Sequence, residues 1–433
     1  MELFLLITST IICLCSSWVA LRKKVLSFSL LILMFVALTH IQAFYILNDL
    51  ISDDSTVFIN TYITRRGFFW ACIYLFIVSS GLFIISVASK NSRKNEKLNY
   101  KYMFFPPIYF YPVMFLFILS LAYLLIFIFI GAGSFIEQSR PGLESGTTVF
   151  LILLSVGVYP IIIRFLTGDK PKKWDYSCLI ATIISTILFS RIHVILYIIS
   201  VIFAYYYGGG CYLIKSLPRF VAKSGFIVLL GVIVFVGFGA LRDALNFTTI
   251  DNVFRLLNEN PDAIRLLSIE KNYRISVEGM SGLASAITYY FNYPSTVSFG
   301  LGIDWIISGL LQPLPGSIKT LFISIYDLIN SFNWHTLTIV ASGLETSFTS
   351  YFIFGPFIYI IIFYLISWRL NSFLLDKSIH PYKRLVVIIF VSNSIFFVRG
   401  SMGHWIGFLI AYLLILLMLR PFIYIYCNKF KAS

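Results

Sequence analysis

From residue 170 to residue 223 the chain reads KPKKWDYSCLIATIISTILFSRIHVILYIISVIFAYYYGGGCYLIKSLPRFVAK. Its apolar body, Tyr176 to Ile214, is interrupted only by Arg191 and His193. Both flanks are basic: Lys170, Lys172 and Lys173 before it, Lys215, Arg219 and Lys223 after it. Basic loops stay on the cytoplasmic side of a membrane, so two basic flanks require an even number of crossings. The stretch reads as a helical hairpin with Arg191 at its outer turn. Its first arm, Lys173 to Ser190, measures about 26 Å at the helical rise of about 1.5 Å per residue, slightly short of a bilayer core.

The same logic extends in both directions. Toward the N-terminus, apolar runs at 3–21, 25–47, 68–89, 108–131 and 148–166 alternate with an acidic loop (Asp49, Asp53, Asp54) and basic ones (Arg22, Lys23, Lys24; Lys90, Arg93, Lys94, Lys97, Lys101). No basic residue precedes the first run and three follow it, which opposes a cleavable signal peptide and puts the N-terminus outside. Toward the C-terminus, a span at 225–241 ends at Arg242, another at 348–368 precedes a basic stretch, and a second hairpin turns at Arg399-Gly-Ser-Met-Gly-His404. The expectation is an all-α polytopic membrane protein of about eleven transmembrane spans with its C-terminus inside. It divides into a bundle over 1–241 with about eight spans, one large outer loop over 242–347, and about three spans over 348–433.

Composition agrees. The chain has 433 residues, 59% hydrophobic and 12% charged, with a mean hydropathy of +0.88, too few charges to coat a soluble core. The net charge of +14 would suit nucleic acid in a soluble protein. Here the basic excess gathers in the inner loops and the outer segments are slightly acidic, so it is a topology signal and no nucleic-acid partner follows. Cys13, Cys15, Cys72, Cys178, Cys211 and Cys427 form no CxxC pair and fall in or beside apolar runs, supporting neither zinc nor a disulfide framework.

The segment Arg242 to Ser347 is where a substantial structure outside lipid is expected. Thr249 and Asn260-Pro261-Asp262 look like starts of two amphipathic helices. The stretch 282–311 either re-enters the membrane or spans it twice, which would raise the count to about thirteen. No phosphate loop, HExxH, GxSxG, dinucleotide fingerprint or acidic metal cluster occurs, so no cofactor or metal is expected. What remains is Arg and His at the outer face. Arg191, Arg242 and Arg399 each end a span where a guanidinium fork can grip a phosphate or pyrophosphate, or else snorkel to the interface. His335, ten residues before Glu345, is the histidine best placed to take a proton from a hydroxyl; His193, His404 and His40 read as interfacial. Most of the 43 Phe and 27 Tyr must face lipid or pack, leaving Trp305, Trp334, Tyr289 and Tyr293 as candidate platforms for sugar rings.

The order and spacing of four motifs resemble the O-antigen polymerases, or oligosaccharide repeat unit polymerases (Wzy-type). They are Phe189-Ser190-Arg191, Gly239-Ala240-Leu241-Arg242, Gly343-Leu344-Glu345-Thr346-Ser347-Phe348 followed by Tyr351-Phe352-Ile353-Phe354-Gly355, and Val398-Arg399-Gly400-Ser401. The loop motif of some members, an arginine with a glycine eleven positions later, is absent. The resemblance implies a metal-independent glycosyltransferase similar to the multi-span enzymes with lipid-linked donors (GT-C-like), working at the periplasmic face of the bacterial inner membrane. It would move a glycan from undecaprenyl pyrophosphate onto the next lipid-linked repeat unit, with a chain-length regulator as an open partner. Arg191, Arg242 and Arg399 are the expected pyrophosphate ligands, and His335 or Glu345 the expected base. Two other readings stay open: a lipid-linked oligosaccharide flippase, which calls for broken helices near the midplane, and an O-antigen ligase.

Overall fold

The computed structural model describes residues 1–58, 61–89, 114–115, 118–119, 122, 154–168, 170–189, 191–210, 279–292, 310, 342–376, 379–399 and 405–417. In chain order its main helices are α1 (Glu2–Arg22), α2 (Leu26–Phe35), α3 (Ile41–Ser52), α4 (Arg65–Ala88), α5 (Tyr159–Thr167), α6 (Lys173–Phe189), α7 (Arg191–Tyr205), α8 (Gly279–Asn292), α9 (Gly343–Tyr351), α10 (Gly355–Tyr364) and α11 (Pro381–Arg399), followed by α12 (Trp405–Leu417). A π-helical turn, Val36–His40, joins α2 to α3 as one long rod. Among the described residues, five stretches are long and apolar enough to cross a membrane: Glu2–Arg22, Leu26–Ile51, Arg65–Ala88, Gly343–Leu375 and Pro381–Val398. The chain is a mostly helical membrane protein, as its composition requires.

Contacts divide it into two compact units. One comprises Met1–Lys94, Arg274–Asp376 and Asn393–Ile410, the other Asn95–Tyr273, Lys377–Ser392 and Ala411–Ser433. This partition differs from the sequence-based one at 241 and 347, because the described helices α8 and α10 pack on α4.

In the first unit, α1 is built inside out relative to a soluble helix. It buries Leu6, Ser9, Cys13, Ser16, Ser17 and Ala20 and exposes Leu3, Phe4, Ile7, Ile11, Leu14 and Trp18. Small residues on the packed face let backbones approach where lipid offers no hydrophobic drive. Helices α1 and α4 run parallel. At one end Arg65 Nε lies 3.6 Å from Glu2 Oε1; at the other Lys23 Nζ donates to the Ser86, Val87 and Ser89 carbonyls at 2.8, 2.7 and 2.7 Å. An ammonium on the last carbonyls satisfies groups that helix geometry leaves orphaned. The α2–α3 rod runs back antiparallel along α1, where Ser17 Oγ and Ser29 Oγ lie 2.6 Å apart.

One element is absent from the sequence reading. Ser55–Phe58 and Thr61–Thr64 form an antiparallel hairpin with Ser55 opposite Thr64, and Thr64 then caps α4 by accepting from the Gly67 N–H. The β-branched run over 55–64 carries that signal.

In the second unit the expected hairpin is present as α6 and α7. Asp175 at the start of α6 pairs with Arg164 of α5 at 2.6 Å, and Tyr205 at the end of α7 packs its ring on Phe165 at 5.3 Å. Both open ends of the hairpin therefore meet α5, and Arg191 stands at the elbow opposite. Arg384 donates to the Leu166 and Tyr207 carbonyls at 3.0 and 2.6 Å.

Candidate functional site

Two short helices in the first unit begin in its interior. The first turn of α8 lies against Leu38 and Thr39, where a side chain at Gly279 would press on the Leu38 carbonyl oxygen. Leu38 is near the middle of the α2–α3 rod, about 18 Å from Leu26 by helical rise. The 14 described residues of α8 rise about 21 Å. They end where α4 begins: Thr64 N–H donates to Thr288 Oγ1 at 3.1 Å and the Arg66 guanidinium covers the Phe291 ring at 4.3 Å. The rest of the stretch 282–311, for which re-entry and two spans were the alternatives, lies outside the described residues apart from residue 310.

Helix α9 begins at the same depth. Its cap is Ser342, whose Oγ accepts the Glu345 N–H at 3.1 Å and donates to the Gly279 carbonyl at 3.0 Å. Glu345 Oε2 accepts the Ser342 N–H at 3.1 Å, completing a capping box. From there α9 climbs beside α8, so that the Tyr290 ring meets Phe348 at 6.3 Å and Phe352 at 4.9 Å. At Phe352 (φ 50°) the chain reverses. Gly355 then abuts the Ser347 carbonyl and the Tyr74 hydroxyl, and the Tyr359 ring reaches back to Gly343. Farther down, Ser27 Oγ donates to the Ser367 carbonyl at 2.6 Å. The apolar stretch 343–375 is therefore not one rod but a half-helix followed by a full descending span. The single span expected at 348–368 runs across this break.

Glu345 was expected in an outer loop. It is instead fully buried, as are the other described residues of α9's first two turns. Arg399 is the last residue of α11, and two residues earlier the Phe397 carbonyl oxygen occupies the space a side chain at Gly343 would need. The Phe396 and Phe408 rings stack at 4.3 Å, and Phe397 meets Trp405 at 5.5 Å, so α11 and α12 form the second expected hairpin. The last turn of α11, at Phe397, lies against the start of α9, and residues 400–404 of the expected elbow lie outside the described residues. Arg191 belongs to the other unit. Arg242, His335, His404, Trp305, Trp334 and Tyr293 lie outside the described residues. His193 is buried beside Tyr412, ring centres 6.5 Å apart. His40 is buried too, with Nδ1 3.0 Å from Thr39 Oγ1 and Nε2 3.5 Å from Ser79 Oγ. Among the described residues no cluster of His, Cys, Asp and Glu is arranged to hold a metal ion.

The chain matches no family model, no curated protein and no solved structure.

Sequence reasoning missed Gln42, Ser342 and Tyr74. Ser342-Gly-Leu-Glu345 is a legible capping box; Tyr74, hydrogen-bonded to Ser347 Oγ at 2.5 Å, gave no signal. Chemically, the interior start of α9 offers a carboxylate and backbone N–H groups where water is sparse. It also leaves no slack at Gly343. Gly343→Ala is expected to cost about 1–3 kcal/mol through overpacking, read as a lower midpoint of thermal unfolding in detergent; an unchanged midpoint would contradict the contact with Phe397.

Proposed function

We propose that the chain is a repeat-unit polymerase of envelope polysaccharide. It joins a glycan carried on undecaprenyl pyrophosphate to a lipid-linked repeat unit at the periplasmic face of the inner membrane, with its N-terminus periplasmic and its C-terminus cytoplasmic. One observation carries the reading beyond the sequence resemblance. The motif Gly343–Phe348 packs at Gly343 on Phe397, the residue just before the motif that begins at Val398, and a buried carboxylate, Glu345, stands two residues along from that contact.

In this reading the acceptor hydroxyl attacks the anomeric carbon, the bond from that carbon to the pyrophosphate oxygen breaks, and the hydroxyl proton passes to a base, Glu345 or His335. Arginines (Arg399, Arg191 and Arg242 are the candidates) stabilise the charge that builds on the departing pyrophosphate, an effect that grows where water is excluded. No metal is required by this scheme.

Deleting the gene and running the lipopolysaccharide on a gel tests it. A single-repeat band is the polymerase result, and Arg399→Ala or Arg191→Ala should reproduce it with the protein still inserted; normal ladders from both variants would refute the arginine assignment. A flippase reading gains support from the break between α9 and α10 at Phe352, since transporters place broken helices near the midplane. Its signature is loss of O-antigen with no polymer left on undecaprenyl pyrophosphate. Retained lipid-linked polymer would instead mean a ligase.

A further inference from the structure

Gln42 is fully buried and caps the first turn of a helix that belongs to a distant part of the chain. Its Oε1 accepts the Met280 and Ser281 N–H groups at 2.6 and 3.0 Å, and its Nε2 donates to Ser281 Oγ at 3.3 Å. Helices ordinarily satisfy their leading N–H groups with a Ser, Thr, Asp or Asn of their own. Here the acceptor comes from a residue 238 positions away. The π-helical turn Val36–His40, just before it, inserts an extra residue and so turns the following side chains to a new face.

The effect of this cap does not stop at α8. The Gly279 carbonyl, on the turn Gln42 holds, is the acceptor for Ser342 Oγ. Ser342 Oγ in turn receives the Glu345 N–H, and the Glu345 carboxylate holds the Ser342 N–H. A run of hydrogen bonds and one helical turn therefore joins Gln42 to Glu345 through groups that are all buried.

We infer that Gln42 is the positioning residue of the interior site: it fixes the first turn of α8, and through Ser342 it sets where the Glu345 carboxylate stands. The role of that carboxylate rests on the polymerase reading; the mechanical link does not.

Three variants test it in a deletion strain. Gln42→Leu removes the acceptor and the donor; Gln42→Asn, one methylene short, is read in its place if the Leu protein fails to accumulate in membranes. Gln42→Glu is isosteric and, when protonated, can make all three bonds. Two readouts are taken on each. The first is maleimide labelling of Thr346→Cys, a buried position of α9, in a background lacking the other cysteines. The second is the glycan ladder. Leu or Asn should speed labelling by about tenfold, as local opening does, and cut chain growth on the order of a hundredfold, as a misplaced catalytic group does; Glu should restore both. Unchanged labelling with Leu or Asn overturns the inference whatever the glycan shows. Faster labelling with a normal ladder overturns the positioning role. If the deletion itself leaves glycan unaltered, the polymerase reading falls, and labelling alone decides the link from Gln42 to α9.

Discussion

Glu345→Gln is expected to reach the membrane in normal amounts and yet extend no glycan, whereas Glu345→Ala loses both stability and activity. The difference comes from the capping box. Glutamine at the third helical position can still accept the Ser342 N–H, so the fold at the start of α9 survives, but it takes no proton. Loss of a positioned base lowers turnover by roughly 10²–10⁴-fold. Alanine additionally strands the Ser342 N–H in a buried setting, which costs about 1–3 kcal/mol. The measurements are ladder length and the thermal midpoint in detergent. Normal ladders from Glu345→Gln would make Glu345 a structural residue and pass the base role to His335.

Arg164→Ala should be among the most destabilising changes in the second unit. Arg164 and Asp175 keep only 5% and 2% of their side-chain surface exposed, at a separation of 2.6 Å, and Asp175 Oδ2 also accepts the Lys172 N–H at 2.7 Å. Removing one partner leaves an uncompensated buried charge, typically worth about 3–5 kcal/mol. The double variant Arg164→Met, Asp175→Leu should recover most of that loss, because apolar isosteres of a buried pair are often neutral. Thermal unfolding of the purified chain distinguishes the cases: single variants within about 1 kcal/mol of the parent would place the pair among weak exposed bridges.

The parts of the fold that follow from local pattern were legible. Long apolar runs closed by Lys and Arg gave α1, the α2–α3 rod and α4 nearly to their ends, and paired basic flanks gave both hairpins with Arg191 and Arg399 at their elbows. The starts of α8 and α9 were not legible as such. The described residues of α8, Gly-Met-Ser-Gly-Leu-Ala-Ser-Ala-Ile-Thr-Tyr-Tyr-Phe-Asn, are rich in small residues, and its cap sits on another helix. Hydropathy also ran straight across the reversal at Phe352, since apolar residues continue on both sides of it. The sequence put Glu345 in the loop 242–347 because hydropathy started the next span at 348, whereas Glu345 lies in the first turn of α9 and is buried. A helix that starts inside the bundle carries its end, and whatever that end holds, into the interior.

The clamp of Lys23 on the tail of α4 has a temporal consequence. Its acceptors begin at Ser86, 63 positions downstream, and at a synthesis rate of about 5–20 residues per second they emerge roughly 3–13 s after it. During that interval the nascent chain holds its first two membrane segments without the third that locks them, so a translational pause, or a fusion placed just before residue 65, should expose an early assembly intermediate to membrane proteases.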